Sequence, residues 1–344
     1  MYPVPRLRDL WQTYRLRLRR KRLLWRAFRA RHGLDPITNR SAKIAAGDIL
    51  LFACIRNEVT RLPQFLDHYR RLGIAHFLIV ENGSDDGSAA FLATQHDVSL
   101  WQTRRSYKAA RFGMDWVNWL LWRHGSGHWC LTVDADELLV YPDCETQPLP
   151  ALVQWLDTQG LPMMAATMLD LYPKGPLSAC HYQPGQDPTE VLDWFDASGY
   201  QRRDLPKFSA ISIRGGVRQR VFFAQTPEHA PHLHKVPLIR WHWRYAYLSS
   251  THIALPRRLN RGFQPGSPAP TGVLLHTKFL DGIIARSQEE KQRREHFTHS
   301  ARYDDYYDAI IADPDLWCPA SCRYQGPAQL EACGLMQRGD WGAK

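Results

Sequence analysis

The chain has 344 residues, 44% of them hydrophobic and 23% charged, with 44 Lys or Arg against 34 Asp or Glu and a formal net charge of +10. This length accommodates one large α/β domain with appendages, and no internal repeat or long low-complexity segment interrupts it outside the basic N-terminus. Eleven of the basic residues and a single acid, Asp9, fall in residues 1–31, leaving 33 of each sign elsewhere; a neutral body argues against a nucleic-acid-binding fold, which carries its basic residues on the folded surface.

The basic run from Arg6 to Arg31 is punctuated by Leu7, Leu10, Trp11, Tyr14, Leu18, Leu23, Leu24, Trp25 and Phe28. A basic amphipathic helix with tryptophans reads as one that lies on an anionic membrane surface, where each basic residue contributes about 1 kcal/mol. A solvated or partner-docked helix is the alternative. A transit peptide is also Arg-rich, but the usual serines are missing. No apolar stretch approaches the roughly 20 residues needed to span a bilayer, and no signal-peptide core is visible. The expected location is cytoplasmic, with peripheral attachment to the inner face of the plasma membrane. Seven cysteines, an odd number without a disulfide framework, agree with reduced thiols.

Beyond the leader the pattern alternates. Asp48 to Ile55 reads as a strand, and Leu62, Phe65, Leu66, Tyr69 and Leu72 recur at helical spacing up to Gly73. His76 to Val80 forms a second strand. It leads into the turn-rich loop Glu81 to Ser88, where Ser84 or Asp86 can cap the helix that begins near Ser88. A short strand at 98–102 and a long helix from about Lys108 to Arg123 precede the apolar run Trp129 to Val133. This succession predicts an α/β, Rossmann-like domain with a mostly parallel sheet and helices on both faces. No Gly-x-Gly-x-x-Gly follows the first strand and no Gly-x-x-x-x-Gly-Lys-Ser/Thr is present, so phosphates would be held through a metal rather than a glycine cradle.

The stretch WCLTVDADELLV, Trp129 to Val140, ends its apolar run on Asp134, Asp136 and Glu137. Ligands of open α/β sheets collect at such strand ends, and two carboxylates there can share one hard divalent cation with substrate phosphates. Farther along, Gly272 to Leu280 alternates so that His276 and Lys278 project on one face of a strand. Arg218 and Arg220 share a face if Arg214 to Phe223 is a strand after the Gly215-Gly216 turn; they would hold a diphosphate or an anionic acceptor, or guard a sheet edge. Trp241, Trp243, Tyr245 and Tyr247 form an aromatic row suited to core packing or to sugar stacking. Gln288 to His296 and Tyr303 to Ile311 read as C-terminal helices.

ACIRNE at 53–58, VENGSDDGS at 80–88 and LTVDADELL at 131–139, in that order, resemble the landmarks of family-2-type GT-A glycosyltransferases, in particular the bacterial branch with a D-x-D-E strand end and a C-terminal His-x-Lys strand. The resemblance covers residues 48–310, strongly in the first hundred and loosely beyond. It implies a GT-A fold with a C-terminal helical appendage, a nucleotide-sugar donor (UDP- or GDP-linked) and Mn or Mg. Carried over, it sets Arg56, Asn57 and Glu58 beside base and ribose, Glu81 and Asn82 at the nucleoside, Asp134, Asp136 and His276 on the metal, and Lys278 on the diphosphate. Glu137 either supports the metal ligands or begins the next turn.

The expected division is a leader at 1–45, a nucleotide-sugar-binding half at 46–145, an acceptor-binding half at 146–281 and a helical region at 282–344. The expected activity is metal-dependent, inverting sugar transfer to a hydroxyl of a bacterial surface glycan or glycolipid precursor. Inversion needs a general base, for which Asp170 and Asp204 are the candidates. A nucleotide-sugar-forming nucleotidyltransferase and a catalytically silent glycan- or membrane-binding protein are the alternatives.

Overall fold

The computed structural model describes residues 7–280, 282–293 and 304–342. The first half comprises α1 (Leu7–Ala30), β1 (Asp35–Thr38), β2 (Ile49–Ile55), α2 (Leu62–Arg71), β3 (His76–Glu81), α3 (Ser88–Thr94), β4 (Val98–Gln102), α4 (Met114–Leu120), β5 (Trp129–Thr132) and β6 (Glu137–Val140). The second comprises α5 (Leu149–Thr158), β7 (Met163–Asp170), β8 (Trp194–Asp196), β9 (Gln201–Leu205), β10 (Ala210–Arg214), α6 (Gly216–Phe222), β11 (His234–Arg240), β12 (Ala246–Ser249), β13 (Ile253–Leu255) and β14 (Thr271–His276). The C-terminal region adds α7 (Ile283–Arg293), α8 (Asp304–Ile311), β15 (Ser321–Arg323) and α9 (Pro327–Ala332). Arg6, His296 and Tyr303, where three of the expected segments begin or end, lie outside the described residues.

Nine strands form one sheet in the order β1-β4-β3-β2-β5-β11-β7-β14-β6. β4, β3, β2 and β5 are mutually parallel. β11 runs antiparallel to both β5 and β7, which returns β7 to the direction of β5, and β14 is parallel to β7. Six strands therefore end at one edge of the sheet, and the expected α/β, Rossmann-like architecture is present. The acidic segment Val133–Asp136 leaves β5 in mid-sheet and re-enters as β6 at the far margin, where Glu137 is in register with His276 and His276 with Asp170.

The central strands are apolar on both faces because helices cover both. Leu51, Ala53, Ile55, Phe77 and Ile79 pack with α2 and α5 through Phe65, Leu66, Leu152 and Leu156. Leu50, Phe52, Leu78 and Val80 pack on the opposite side with Trp116, Val117 and Leu120 of α4. Each such fully buried side chain contributes about 1.5–3 kcal/mol, which fixes register, since a one-residue slip would exchange the two sets. A further cluster joins Leu169, Leu171, Val273 and Leu275 to Ile283, Tyr306 and Ile310 of α7 and α8, so the C-terminal helices are seated beside the active edge.

Three local expectations change. Residues 216–222 form helix α6 rather than a strand, because Gly215 (φ 140°) and Gly216 (φ 68°) turn the chain out of the extended conformation of β10. Side chains two apart on a helix diverge, so Arg218 reaches Asp170 whereas Arg220 reaches Asp196. The helix expected from Lys108 begins only at Met114, since Arg111, Phe112 and Gly113 all have positive φ. The aromatic row is broken by the turn between β11 and β12: Trp241, Tyr245 and Tyr247 are core residues, while Trp243 is exposed.

Candidate active site

A cleft of about 330 Å³ opens at the edge where the parallel strands end, lined by Arg56, Asn82, Asp134, Asp136, His276 and Lys278 among others. A shallower hollow of about 660 Å³ adjoins it through Arg56, Asn82 and Tyr107 and extends to Arg104 and Arg105. The strands explain the convergence. Their C-terminal ends carry Glu81, Asp170 and His276, and the acidic segment passes over the same edge.

His276 lies between two carboxylates. Its Nδ1 is 2.6 Å from Asp170 Oδ1 and its Nε2 is 3.1 Å from Asp136 Oδ2. Arg218 Nε donates to the other oxygen of Asp170 at 2.7 Å, completing a chain Arg218–Asp170–His276–Asp136 that is buried up to the half-buried Asp136. Burial opposes the imidazolium, but Asp136 and Asp170 outweigh it and raise the His276 pKa. Burial likewise opposes both carboxylates. Arg218 and His276 hold Asp170 at about 2, and His276, Arg61 and Lys278 hold Asp136 well below the usual carboxylate range.

A second ion-paired group joins it. Lys235 Nζ donates to Asp134 Oδ2 at 3.1 Å and to Glu137 Oε1. Burial works against the Lys235 charge, yet Asp134 and Glu137 prevail and keep its pKa raised. Glu137 is fully enclosed, and burial pushes its carboxyl up to about 7 against the pull of Lys235. It also accepts the Asp134 backbone N–H at 3.2 Å, so it shapes the acidic turn from beneath. Lys235 escaped the sequence reading; its signal is a lysine at the head of the apolar run Val236–Ile239, where a buried charge requires a partner.

Among the described residues, no group of three or more His, Cys, Asp or Glu is arranged as a metal site. Two of the three expected ligands nevertheless fit one. Ligands at right angles about 2.1 Å from a cation stand about 3 Å apart, which matches the Asp136–His276 separation. A carboxylate on the far nitrogen, here Asp170, is the usual support of a metal-binding imidazole. Asp134, the most exposed of these groups with 47% of its side chain accessible, is turned toward Lys235.

The remaining expected residues divide. Arg56, Asn57, Glu58, Asn82 and Lys278 all line the cleft. Glu58 is a bridge, accepting from Arg61 at 2.7 Å and from Arg286 of α7 at 2.8 Å, and Arg56 pairs with Glu289 at 3.0 Å. These contacts tie the loop after β2 to α7. Asn57 (φ 52°) receives the Asp85 N–H at its side-chain oxygen, while Asn82 donates to Thr103 O and Arg105 O. Burial and then Arg218 lower the Lys278 pKa. Glu81 is brought to the edge but not into the cleft: its carboxylate is fully buried, accepting from Ser84 N and Gln102 Nε2. Asp204 is not brought to the site at all. It lies exposed on β9, paired in register with Ile211, because β9 and β10 form a separate hairpin.

No family model matches the chain, and no curated protein matches it. Among solved structures the chain is similar to UTP-bound UGPase from Acinetobacter baumannii, at 10% identity over 78% of this chain and 84% of that one, with a TM-score of 0.29. It is also similar to 4-diphosphocytidyl-2C-methyl-D-erythritol synthase, at 10% identity over 84% of this chain and 99% of that one, with a TM-score of 0.25.

Proposed function

We propose that the chain is a metal-dependent glycosyltransferase that moves a sugar from a nucleotide-sugar donor, with inversion, to a hydroxyl of a glycan or glycolipid acceptor. The observation that carries this reading is the chain Arg218–Asp170–His276–Asp136 beside Asp134 at the edge of the sheet, with Arg218, His276, Asp136 and Asp134 lining one cleft and Asp170 buried behind them. In this reading the nucleoside rests where the two hollows meet, against Arg56, Asn57 and Asn82. Asp134, Asp136 and His276 hold Mn or Mg, which when bound offsets charge on the departing diphosphate.

The protein's own groups supply the rest. Lys278, which lines the cleft, gives a cation for the diphosphate. Asp170 acts as a positioning residue: with one oxygen on Arg218 and the other on His276, it fixes the ring so that Nε2 faces Asp136. A carboxylate held at about 2 is a weak proton acceptor, so this role fits Asp170 better than that of the general base.

A second reading is nucleotidyl transfer from a nucleoside triphosphate to a sugar phosphate. The cations Arg56, Arg61, Arg218, Lys235, Lys278 and Arg286 around the cleft also suit a triphosphate. A panel of UDP- and GDP-sugars with Mn or Mg, run beside Asp136→Asn, separates the two. Metal-dependent release of nucleoside diphosphate that disappears in the variant supports sugar transfer. Pyrophosphate release from sugar phosphate plus nucleoside triphosphate selects the second reading. Absence of donor turnover and of pyrophosphate release, together with absence of any metal-dependent thermal shift with nucleoside di- or triphosphates, would overturn both.

A further inference from the structure

The helix α1 has two apolar faces, and only one is used by the fold. Leu16, Leu23 and Ala27 are buried; Leu16 and Leu23 pack with Ala246, Leu248, Ile253 and Leu255 of β12 and β13. Arg26 pins the same side to α4, pairing with Asp115 at 2.7 Å and donating to Ala109 O at 3.0 Å. Phe28 meets Trp119 and Trp122 edge-on. The helix is therefore a fixed part of the body rather than a free leader.

At 3.6 residues per turn, Leu10, Trp11, Tyr14, Leu18 and Trp25 fall within an arc of about 100° that points away from that packed side. All five are exposed, Trp11 and Trp25 at 60% each, with Trp11 stacked on Tyr14 and Trp25 on Phe28. They make up five of the seven large hydrophobic side chains exposed among the described residues. The same geometry sets Arg17 and Lys21 along one margin of the stripe and Arg15, Arg22 and Arg29 along the other, all exposed. The result is an apolar, tryptophan-bearing strip about 20 Å long, framed by cations on both sides and held rigidly.

We propose that this outward face of α1 is a docking surface for an anionic lipid bilayer, with Trp11, Tyr14, Leu18 and Trp25 entering the interface and the flanking arginines and lysine meeting lipid phosphates. The charge pattern selects this occupant. A second copy of the chain would bring two strips of like charge together, whereas a bilayer presents apolar tails between negative head groups, the complement of a strip with cationic margins. Because α1 is docked on the body, binding would hold the whole domain at the surface in one orientation. This inference stands independently of the reaction the cleft performs.

The test is co-sedimentation of the full chain with vesicles of phosphatidylcholine alone and of phosphatidylcholine mixed with phosphatidylglycerol. Binding to the mixed vesicles only, weakened by salt and accompanied by a blue shift of tryptophan emission, is expected. The double variant Trp11→Ser/Trp25→Ser and the double variant Lys21→Glu/Arg22→Glu should each lower the partition coefficient at least about tenfold with an unchanged melting temperature, since all four side chains point outward. Three results would overturn the proposal: equal binding to both vesicle types, undiminished binding by Trp11→Ser/Trp25→Ser, or a concentration-dependent dimer abolished by that variant in the absence of lipid.

Discussion

Asp170 and His276 are joined by a 2.6 Å contact between adjacent parallel strands whose registers place the two residues side by side. Strand pairing thus supplies the alignment, and Arg218 from α6 supplies the counter-charge. A pair set by backbone register is pre-positioned before any ligand arrives, which is the condition for a low reorganisation cost at a charged site.

Removing Asp170 should damage stability as well as the site. Asp170→Ala leaves Arg218 buried without a counter-charge and His276 with Asp136 alone, and breaking a buried pair in this way costs about 3–5 kcal/mol. The loss is read from urea unfolding. Adding Arg218→Met should recover part of it, and a double variant as unstable as the single one would show that Arg218 is not the group left stranded.

Lys235 competes for Asp134 with any cation that binds there. Lys235→Gln removes one positive charge at contact distance, worth about 1 kcal/mol or more at this partly exposed carboxylate. The variant should bind Mn about fivefold or more tightly by calorimetry, while its melting temperature falls because Glu137 loses its partner. Unchanged Mn affinity would remove Asp134 from the set of proposed ligands.

Tyr69 ties α2 to the margin of the sheet: its hydroxyl donates to Glu137 O at 2.8 Å and accepts from Leu139 N at 3.1 Å. Tyr69→Phe leaves both backbone groups buried and unpaired, a loss of about 1–3 kcal/mol. Denaturant unfolding measures it, and a change below the error of that experiment would mean that water replaces the hydroxyl.

Acid sensitivity should come in part from the clustered histidines His232, His234 and His252, whose ring centroids are 5.3–6.2 Å apart. Burial lowers His232 to about 4, with Arg214 adding to it, and His234 to about 3, with His232 and Arg214 adding to it. An unfolded histidine titrates near 6.5, so between about 6.5 and 3 these histidines bind more protons in the unfolded chain than in the folded one. The contribution of these histidines should be level above about pH 7 and fall as pH drops through that window, whereas Glu137 and His276, whose pKa values are raised, contribute in the opposite sense. His234→Asn should flatten the slope of unfolding free energy against pH. An unaltered slope would assign acid sensitivity to other groups.

Much of the site was legible because strand ends are legible. Asp134, Asp136, His276 and Lys278 all follow apolar runs that could only be buried strands, and strands sharing a direction deliver their termini to one edge. What stayed hidden depends on partners distant in sequence. Arg218 looked like a strand residue until Gly215 and Gly216 turned the chain, and its value lies in a carboxylate 48 positions earlier. Lys235 is the counter-charge of acids about 100 positions upstream, so its own strand signals that it needs a partner without naming which. Asp204 follows a polar, charged segment much as a loop residue would, yet that segment forms a hairpin of its own away from the cleft.

The path of β6 bears on how the molecule can be divided. Residues 137–140 lie in the half that carries the loops after β2 and β3, yet their hydrogen-bonding partner is β14, at residues 271–276 near the end of the other half. The two halves are consequently threaded through one another, and the acidic segment is the stitch. A fragment ending near residue 145 would carry Leu138 and Val140 with no neighbour to cover them, so the halves should prove inseparable by partial digestion, and a nick in any exposed loop should leave the fragments associated until both unfold together.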